Sequence, residues 1–345
     1  MVKESNKILF LYYDPHYAHA AFAKALHADF WPAPKIRSGE SSIIKNIAWG
    51  LQSIKAIFTL PRDYDIYFCE GTYIFPAIAR KLGFLPKNAK IINILASPLL
   101  YYIKTGRVNG IKRWIALEML KEVDSFVCIG KMEQELLKEF LPKAKFIVAY
   151  PFIRPEVYGA LIKQRKVLPK LDSHVILTIG TGDVYYKGID IVVEAFKIAK
   201  KKIPDLKLNI VGKFDDDIYN LVDDVEGIEV KGYVKDLVKE IKNASLYVHM
   251  GRGDTFPVSV LEAMLGGLPV IVSNQTGTKE FLYLFNKNHV LDNDAKKVNE
   301  AIMRYFSSSN KYKIKISKNS YKLAKSFEMK VNIGKFVSKF KNINT

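Results

Sequence analysis

Hydrophobic residues in this chain gather in short continuous runs that alternate with longer amphipathic stretches. The first runs lie at residues 7–13, 64–69 and 90–95 and are rich in β-branched and aromatic residues. Such runs are typical of strands that are buried on both faces. The stretches between them place apolar residues every three or four positions, which is typical of helices. Regular alternation of strand and helix predicts an α/β domain with a parallel, doubly wound sheet.

The alternation stops once and then starts again, which predicts two domains. The last run of the first series lies at residues 145–149, and the next series begins at 174–179. The segment between them is interrupted by proline and glycine. We therefore expect a first domain over 1–152, a linker over 153–172, a second domain over 173–325 and a C-terminal amphipathic helix over 326–345. A chain of 345 residues is long enough for two such domains.

Composition narrows the class of protein. Hydrophobic residues make up 49% of the chain and charged residues 26%, as in soluble globular proteins. No apolar run approaches the roughly 20 residues of a membrane span, and the N-terminus lacks the pattern of a signal peptide. We expect a cytoplasmic protein, with the inner face of the membrane as an open alternative. The sequence has no cluster of cysteine and histidine at metal-ligand spacing, so we expect neither a metal nor a cofactor.

The net charge of +18 raises the question of an anionic partner. Basic residues are spread along the whole chain, and no nucleic-acid-binding module is recognisable, so we expect no nucleic-acid partner. Peripheral contact with an anionic membrane and the absence of any specific partner both remain open. The stretch Leu99 to Lys121 interleaves aromatic and basic residues. It is a candidate surface for an acceptor or for lipid headgroups, the plain alternative being a partly exposed loop and helix.

The most informative stretch, Gly251 to Glu280, predicts a loop, a short helix and a buried strand in succession. Asp254 lies in the loop, and Glu262 lies just inside the helix after seven intervening residues. A helix N-terminus favours an anion, and carboxylates accept hydrogen bonds from hydroxyl groups. The combination suits a ligand that carries both phosphate and hydroxyls, such as a nucleotide sugar.

A second candidate phosphate loop runs from Gly180 to Gly188, between a predicted strand and a predicted helix. Its backbone N–H groups can face a phosphate. The loop fits neither of the common glycine-rich nucleotide motifs, so its signal is weak by itself.

Together these motifs resemble those of the family 4 retaining glycosyltransferases, also described as glycosyl transferases group 1. The signature of that family is matched by Asp254, Glu262-Ala263-Met264, Gly266-Gly267 and Pro269-Val270, although the family has Glu where Asp254 stands. The loop that ends in Lys187 resembles the family's diphosphate loop, without its early arginine.

The resemblance implies a GT-B fold, in which two Rossmann-like doubly wound domains face each other across a cleft and a C-terminal helix crosses back to the first. It implies metal-independent transfer of a hexose, with retention, from a nucleotide sugar to a saccharide or lipid-linked acceptor. Asp254 and Lys187 take the catalytic positions. The implied donor-binding residues are Gly180, Thr181, Gly182, Lys187, Gly212, Val234, Asp254, Thr255, Phe256, Pro257, Val258 and Glu262.

The acceptor side departs from the family. Many members carry a histidine after the strand that corresponds to residues 90–95, where this chain has Ser97. His16, Glu70 and Ser97 are therefore the acceptor-side candidates. The departures keep open an alternative: an inactive or weakly active glycosyltransferase-like protein that binds a nucleotide sugar or serves as a scaffold. A dinucleotide-dependent enzyme is a third reading, disfavoured because the chain lacks GxGxxG.

Overall fold

A computed structural model describes residues 6–33 and 53–343 of the chain. The chain divides into two compact units, Met1–Pro151 together with Asn332–Thr345, and Phe152–Val331. Each unit is built on a six-stranded sheet in which all paired strands are parallel. The α/β doubly wound class that the alternation predicts is therefore confirmed in both halves.

The first unit has the strand order β2-β1-β3-β4-β5-β6. Apolar residues recur at helical spacing over residues 41–58 and predict a helix there. Residues 41–52 lie outside the described part of the chain, and residues 53–59 are helical and form α2. The elements are β1 (Ile8–Tyr12), α1 (Tyr17–Ala25), β2 (Asp29–Pro32), α2, β3 (Ile66–Glu70), α3 (Ile74–Lys81), β4 (Lys90–Leu95), α4 (Leu99–Lys104), α5 (Gly110–Leu120), β5 (Ser125–Cys128), α6 (Lys131–Phe140) and β6 (Phe146–Val148).

The second unit has the strand order β12-β11-β10-β7-β8-β9. Its elements are α7 (Pro155–Lys163), β7 (Val175–Ile179), α8 (Ile189–Lys200), β8 (Lys207–Val211), α9 (Asp217–Val222), β9 (Ile228–Gly232), α10 (Leu237–Asn243), β10 (Leu246–His249), α11 (Val258–Leu265), β11 (Val270–Ser273), α12 (Lys279–Leu282), a 3-10 turn (Lys287–His289), β12 (Val290–Leu291), α13 (Ala295–Phe306) and α14 (Asn310–Ala324). The last helix of the chain, α15 (Met329–Ile343), begins in the second unit and continues into the first.

The segment over 153–172, predicted as a linker, instead contains helix α7 and belongs to the second unit. Pro155 occupies the first turn of this helix. Proline is favourable there because the first-turn N–H has no partner inside the helix and the proline ring already has a helical φ. The proline that suggested a break in the sequence is therefore a helix start.

Helix α14 is rich in lysine, and the sequence analysis did not predict it. Ser309 caps its N-terminus by accepting a hydrogen bond from the backbone N–H of Tyr312. The buried face carries Ile316, Ser317, Ser320 and Ala324 and packs against α11, while the other face carries exposed lysines. Because small polar residues occupy part of the buried face, apolar residues do not recur at helical spacing in this part of the sequence.

The last helix, α15, packs from Asn332 onward with the first unit. The ring of Phe336 is fully buried and stacks on Phe22 with centroids 4.3 Å apart. The ring centroid of Phe68 lies 6.1 Å from that of Phe336 and 5.5 Å from that of Phe340. An aromatic cluster thus fastens the end of the chain to β3 and α1. Within residues 6–33 and 53–343 no helix combines the length and the apolar character that crossing a bilayer requires.

This cluster yields a stability prediction. Phe336→Ala should lower the free energy of unfolding by about 3–5 kcal/mol, because it removes a buried ring and leaves a cavity. Chemical denaturation followed by circular dichroism measures the loss. Val331→Ala, at a 43% exposed position of the same helix, is the control and should change stability by less than about 1 kcal/mol. Equal losses in the two variants would show that α15 is not anchored by this ring.

Candidate functional site

The two candidate ligand-binding loops of the sequence meet at the point where the second sheet reverses its strand order. Strands β7 and β10 are neighbours, and the crossovers from them lead to opposite sides of the sheet. In parallel α/β sheets such a switch point opens a crevice at the carboxyl ends of the strands, where ligands bind. The loop that contains Lys187 follows β7, and the loop that contains Asp254 follows β10.

The predicted donor-side residues follow one edge of this sheet in order. Residues 251–257 follow β10, residues 180–188 follow β7, Gly212 follows β8, and Val234 lies just beyond β9. Neighbouring strands are about 4.8 Å apart, so these four strand ends extend over about 14 Å. The edge therefore presents an elongated row of loops, as an elongated ligand needs.

The loops after β7 and β8 lie directly against each other. The N–H of Gly180 donates to the carbonyl of Val211 at 3.0 Å, and that of Gly182 donates to Lys213 at 2.8 Å. A Cβ on Gly212 would lie only 1.7 Å from the carbonyl oxygen of Gly180. Glycine is therefore required at this crossing for steric reasons.

Gly188 sets the position of the lysine before it. This glycine has a left-handed φ of +68°, and a Cβ there would lie 1.8 Å from the carbonyl oxygen of Met250. The end of the loop after β7 is thus pressed against the chain that leaves β10. As a result, Lys187 is held over the loop that contains Asp254.

Lys187, His249 and Asp254 form a buried charged cluster. The ammonium of Lys187 lies 2.8 Å from Oδ2 of Asp254, and Nε2 of His249 lies 3.1 Å from the same oxygen. Asp254 is only 5% exposed. Burial by itself raises the pKa of this carboxyl, but Lys187 and His249 outweigh burial and hold the pKa well below its usual range. Asp254 is therefore an anion in the folded protein.

A second ion pair links the loop after β10 to helix α8, which follows the loop after β7. The guanidinium of Arg252 makes two hydrogen bonds of 2.8 Å to the carboxylate of Asp190 in α8. It also lies 3.8 Å from the ring centre of Tyr185. The N–H of Arg252 donates to the carbonyl of Tyr186. The sequence analysis did not single out Arg252 or Asp190, because only the fold brings them together.

The loop after β10 is supported from its other side by residues 275–278. The N–H of Gly277 donates to the carbonyl of Asp254 at 2.9 Å, and that of Gly253 donates to Gln275 at 3.1 Å. A Cβ on Gly277 would lie 1.7 Å from the carbonyl of Thr255. The backbone around Asp254 is thus enclosed between two neighbouring loops and held in one position.

Glu262 lies one turn inside α11 and is 3% exposed. Its Oε1 accepts a hydrogen bond of 3.1 Å from Nε of Arg154, at the start of α7. Burial raises the pKa of Glu262, and the charge of Glu156 adds to the rise, while Arg154 opposes it. Arg154 is a further residue that the sequence analysis missed, since it lies 108 positions away in a segment predicted as a linker.

The other predicted donor-side residues differ in accessibility. Thr255, Phe256 and Pro257 are buried, whereas Thr181 is exposed and Val258 and Val234 are half-buried. Phe256 packs edge-on against Phe281. Helix α11 has no side-chain cap, so its first-turn N–H groups are not satisfied by a capping side chain. Thr181, Val234 and Val258, together with Gly180, Gly182 and Lys187, are the donor-side residues that are at least partly exposed.

In the first unit, two of the three acceptor-side candidates meet. Strands β1 and β3 are neighbours at that sheet's own switch point. Oε1 of Glu70, at the end of β3, accepts from the N–H of His16 at 3.2 Å and lies 2.6 Å from Nδ1 of His19. His19 lies in α1 and is 2% exposed. Ser97 follows β4 and is exposed, with no contact recorded to this group.

The His19–Glu70 pair contains two unusual atoms. Nε2 of His19 and Oε2 of Glu70 are both buried and make no hydrogen bond within residues 6–33 and 53–343. Buried polar atoms without a partner are rare and costly in folded proteins. Over the same residues, no group of three or more acidic, histidine or cysteine side chains is arranged to hold a metal ion.

The fold of the chain is also that of several solved structures. HepE of Anabaena, in a complex with UDP and glucose, aligns over 97% of this chain and 99% of its own, with a TM-score of 0.67 and 16% identity. Sucrose-phosphate synthase of Thermosynechococcus elongatus aligns over 98% and 99%, with a TM-score of 0.74 and 16% identity. At this level of identity the likeness establishes the fold, which is GT-B, with two Rossmann-like domains.

The family comparison is confined to the second unit and its borders. Residues 162–323 match the family described as Glycosyl transferases group 1. An uncharacterized glycosyltransferase of Haemophilus influenzae is 29% identical over 167 residues, which are 46% of this chain and 44% of the relative. The chain thus spans less than half the length of this curated relative. The match supports the glycosyltransferase resemblance for the unit that holds the Lys187–Asp254 cluster.

The Glu262–Arg154 pair predicts a pH-dependent stability. Because the folded-state pKa of Glu262 is raised, its carboxyl binds a proton more tightly when folded, so it contributes a loss of stability as pH rises above its ordinary pKa of 4.5. Arg154→Met removes the group that opposes this rise. The variant should therefore lose more melting temperature relative to wild type at about pH 7.5 than at about pH 5.

The matched control is the double variant Arg154→Met/Glu262→Gln, which has no carboxyl to titrate at this position. Its difference from wild type should no longer grow between the same two pH values. Thermal melts of the three proteins in the two buffers make the measurement. An equal loss for Arg154→Met at both values would mean that the pair does not govern the ionisation of Glu262.

Proposed function

We propose that the protein transfers a sugar, most simply a hexose, from a nucleotide-sugar donor to a hydroxyl of a saccharide or lipid-linked acceptor. The observation that carries this proposal is the Lys187–Asp254 cluster at the switch point of the unit that matches the group 1 glycosyltransferases. The expected retention of anomeric configuration, membership of family 4 and cytoplasmic location come from the sequence and belong to the same proposal.

The donor's diphosphate is assigned to the side chain of Lys187 and the N-terminus of α11. Lys187 is 20% exposed, so its ammonium can reach a ligand without leaving its loop. A positioned cation and helix N–H groups both offset the charge that develops on a leaving diphosphate. With these groups in place the proposed reaction uses no metal ion and no cofactor.

The hydroxyl groups of the donor are assigned to the two carboxylates. Glu262 takes the ribose, and Asp254, with the backbone of residues 255–258, takes the sugar. An ionised carboxylate accepts several hydrogen bonds at once, so Asp254 can retain Lys187 while it binds a hydroxyl. The nucleotide base is assigned to Val234. The loops that contain Gly180, Thr181, Gly182 and Gly212 lie between Asp254 and Val234 along the edge of the sheet.

The acceptor is assigned to the first unit, at His19 and Glu70. The contact of Glu70 with Nδ1 of His19 orients the imidazole ring, so that Nε2 is the atom that can accept a proton. The two buried polar atoms without partners suit a polar ligand, since a hydroxyl can satisfy both a nitrogen and a carboxylate oxygen. His16, whose N–H also contacts Glu70, borders this position.

The donor assignment predicts a specific stabilisation. Among UDP-, GDP-, ADP- and dTDP-sugars, one should raise the melting temperature by several degrees at a concentration of about 100 times its Kd. UDP-glucose is the first to test, because a solved structure of HepE contains it. Lys187→Met should weaken binding by roughly tenfold or more, since it removes a charged hydrogen bond to phosphate.

The matched control is Lys197→Met, which removes a lysine of α8 that forms only a surface ion pair with Glu194. It should leave the donor shift unchanged. The double variant Lys187→Met/Asp254→Asn removes both charges of the pair. It shows whether the weaker binding of Lys187→Met comes from the missing ammonium or from a buried Asp254 carboxylate that has lost its partner. If no nucleotide sugar stabilises the wild-type protein, the donor site is wrongly assigned. A donor that binds without any turnover would favour the non-catalytic, glycosyltransferase-like alternative.

The acceptor assignment predicts a separation of binding from transfer. Glu70→Gln and His19→Gln should each reduce sugar transfer by roughly 100-fold, the usual effect of losing a general base. Both should leave the donor-induced thermal shift intact, because they lie in the other unit. Glu118→Gln, on the surface of α5, is the control for transfer. Unchanged transfer in the Glu70 and His19 variants would exclude the pair from the reaction.

A further inference from the structure

Helix α5 of the first unit exposes large apolar side chains at its start. Ile111 is 66% exposed and Trp114 is 60% exposed. The two positions are three residues apart and therefore lie on one face of the helix. Most large apolar residues of a folded chain are at least half-buried, so a neighbouring exposed Ile and Trp form a patch that calls for a partner.

Basic residues surround these two side chains. Arg107, Lys112 and Arg113 are exposed, and the sequence from Lys104 to Leu117 contains no acidic residue. Among the ion pairs of the described residues, none involves Lys112 or Arg113. The patch therefore combines apolar groups with the positive charge of Lys112 and Arg113, which form no ion pair with the described residues. We name Arg107, Ile111, Lys112, Arg113 and Trp114 the α5 surface.

The α5 surface is held in place from beneath. Ala116 and Leu120, in the second half of the helix, are buried in the core of the first unit. The turn before the helix is fixed by a hydrogen bond of 3.0 Å from the N–H of Val108 to the carbonyl of Tyr102. Arg107 lies 5.4 Å from the ring centre of Tyr102. The first turns thus project from a rigid base, and docking needs little reordering of backbone.

We propose that the α5 surface docks on a lipid bilayer that contains anionic headgroups. Each lysine or arginine near such a surface contributes to binding, and Trp is favoured at the boundary between headgroups and acyl chains. The apolar face of an interfacial helix lies in that boundary while its basic residues contact headgroups. Ile111 and Trp114 would enter the boundary, and Arg107, Lys112 and Arg113 would contact phosphate.

Other occupants fit the α5 surface less well. A second copy of the chain carries the same net charge of +18 and would be repelled. A nucleic acid would satisfy the basic residues, but an aliphatic side chain such as Ile111 has little to gain from a phosphate backbone. The lipid surface satisfies the charged and the apolar members together. This inference is independent of the proposed sugar transfer and would only bring a lipid-linked acceptor closer.

The test is co-sedimentation of the full chain with vesicles, without any donor present. Wild type should bind vesicles that contain phosphatidylglycerol and should not bind vesicles of phosphatidylcholine alone. Lys112→Glu/Arg113→Glu should weaken binding by roughly 30-fold or more, given about a tenfold loss for each 1.4 kcal/mol and about 1 kcal/mol for each basic residue. Ile111→Ser/Trp114→Ser should weaken binding at least tenfold at unchanged charge.

Two matched controls distinguish binding through the α5 surface from binding that depends only on the net charge of the protein or on any exposed apolar side chain. Lys315→Glu/Lys318→Glu on the exposed face of α14 lowers the net charge by the same four units, from +18 to +14. Tyr283→Ser/Leu284→Ser removes apolar side chains that are 53% and 75% exposed elsewhere. Both controls should bind vesicles within a factor of about two of wild type. Unchanged thermal melts verify that all four variants are folded.

Several results would overturn the proposal. If the α14 control loses as much binding as the α5 charge variant, the attraction is general and not located at α5. If Ile111→Ser/Trp114→Ser binds like wild type, no side chain enters the bilayer. If a short RNA or DNA duplex binds more tightly than vesicles and depends on Lys112 and Arg113, the surface serves nucleic acid. Because no donor is used, each result is independent of whether the protein transfers sugar.

Discussion

The constraint on which the second unit depends is the burial of an ionised carboxylate, Asp254, at the reversal of strand order. A buried charge is tolerated only where opposite charges and hydrogen bonds compensate it. Here Lys187 and His249 do so, at 2.8 Å and 3.1 Å from one oxygen. Lys187 comes from the loop after β7, whereas His249 and Asp254 come from β10 and its loop. The carboxylate therefore links the two loops that border the crevice. The close approach of Gly188 to Met250 allows this link, because it places Lys187 beside Asp254.

Under the proposed function, the same interaction prepares the site for an anionic ligand. Lys187 is already partly desolvated and held in place, so a phosphate that contacts it does not have to order a free side chain. Pre-organisation of this kind lowers the cost of binding. The supports around Asp254 act in the same direction, since residues 275–278 hydrogen-bond the loop from behind and Arg252 joins it to α8. Because the surrounding loops are held in one position, the partly exposed ammonium of Lys187 is also held in one position.

The sequence predicted the fold class, nearly all strands and the two loops, because a parallel sheet leaves a strong pattern of apolar runs and because loop glycines stand out. It did not predict what depends on distance in space. Arg154 was missed since its partner Glu262 is 108 residues away, and Arg252 since its partner Asp190 lies in another element. Strand β2 (Asp29–Pro32) was missed because it is mostly exposed and contains proline, which edge strands tolerate. Helix α7 was hidden by a proline that in fact begins it. Contacts between distant residues and local backbone conformation decided these cases, and a single sequence does not record either of them directly.

The pairing of charges at the site explains how a strongly basic chain can remain selective. Three basic groups around the crevice of the second unit have an acidic partner: Lys187 has Asp254, Arg252 has Asp190, and Arg154 has Glu262. The charges within these three pairs are balanced, although the whole chain carries +18. A generic polyanion gains little from a balanced crevice compared with the lysine-rich outer surface. A ligand that offers hydroxyls to the carboxylates together with phosphate to the ammonium gains from both members of a pair. Under the proposed function, the acidic residues, as much as the lysine, determine which anions the crevice accepts.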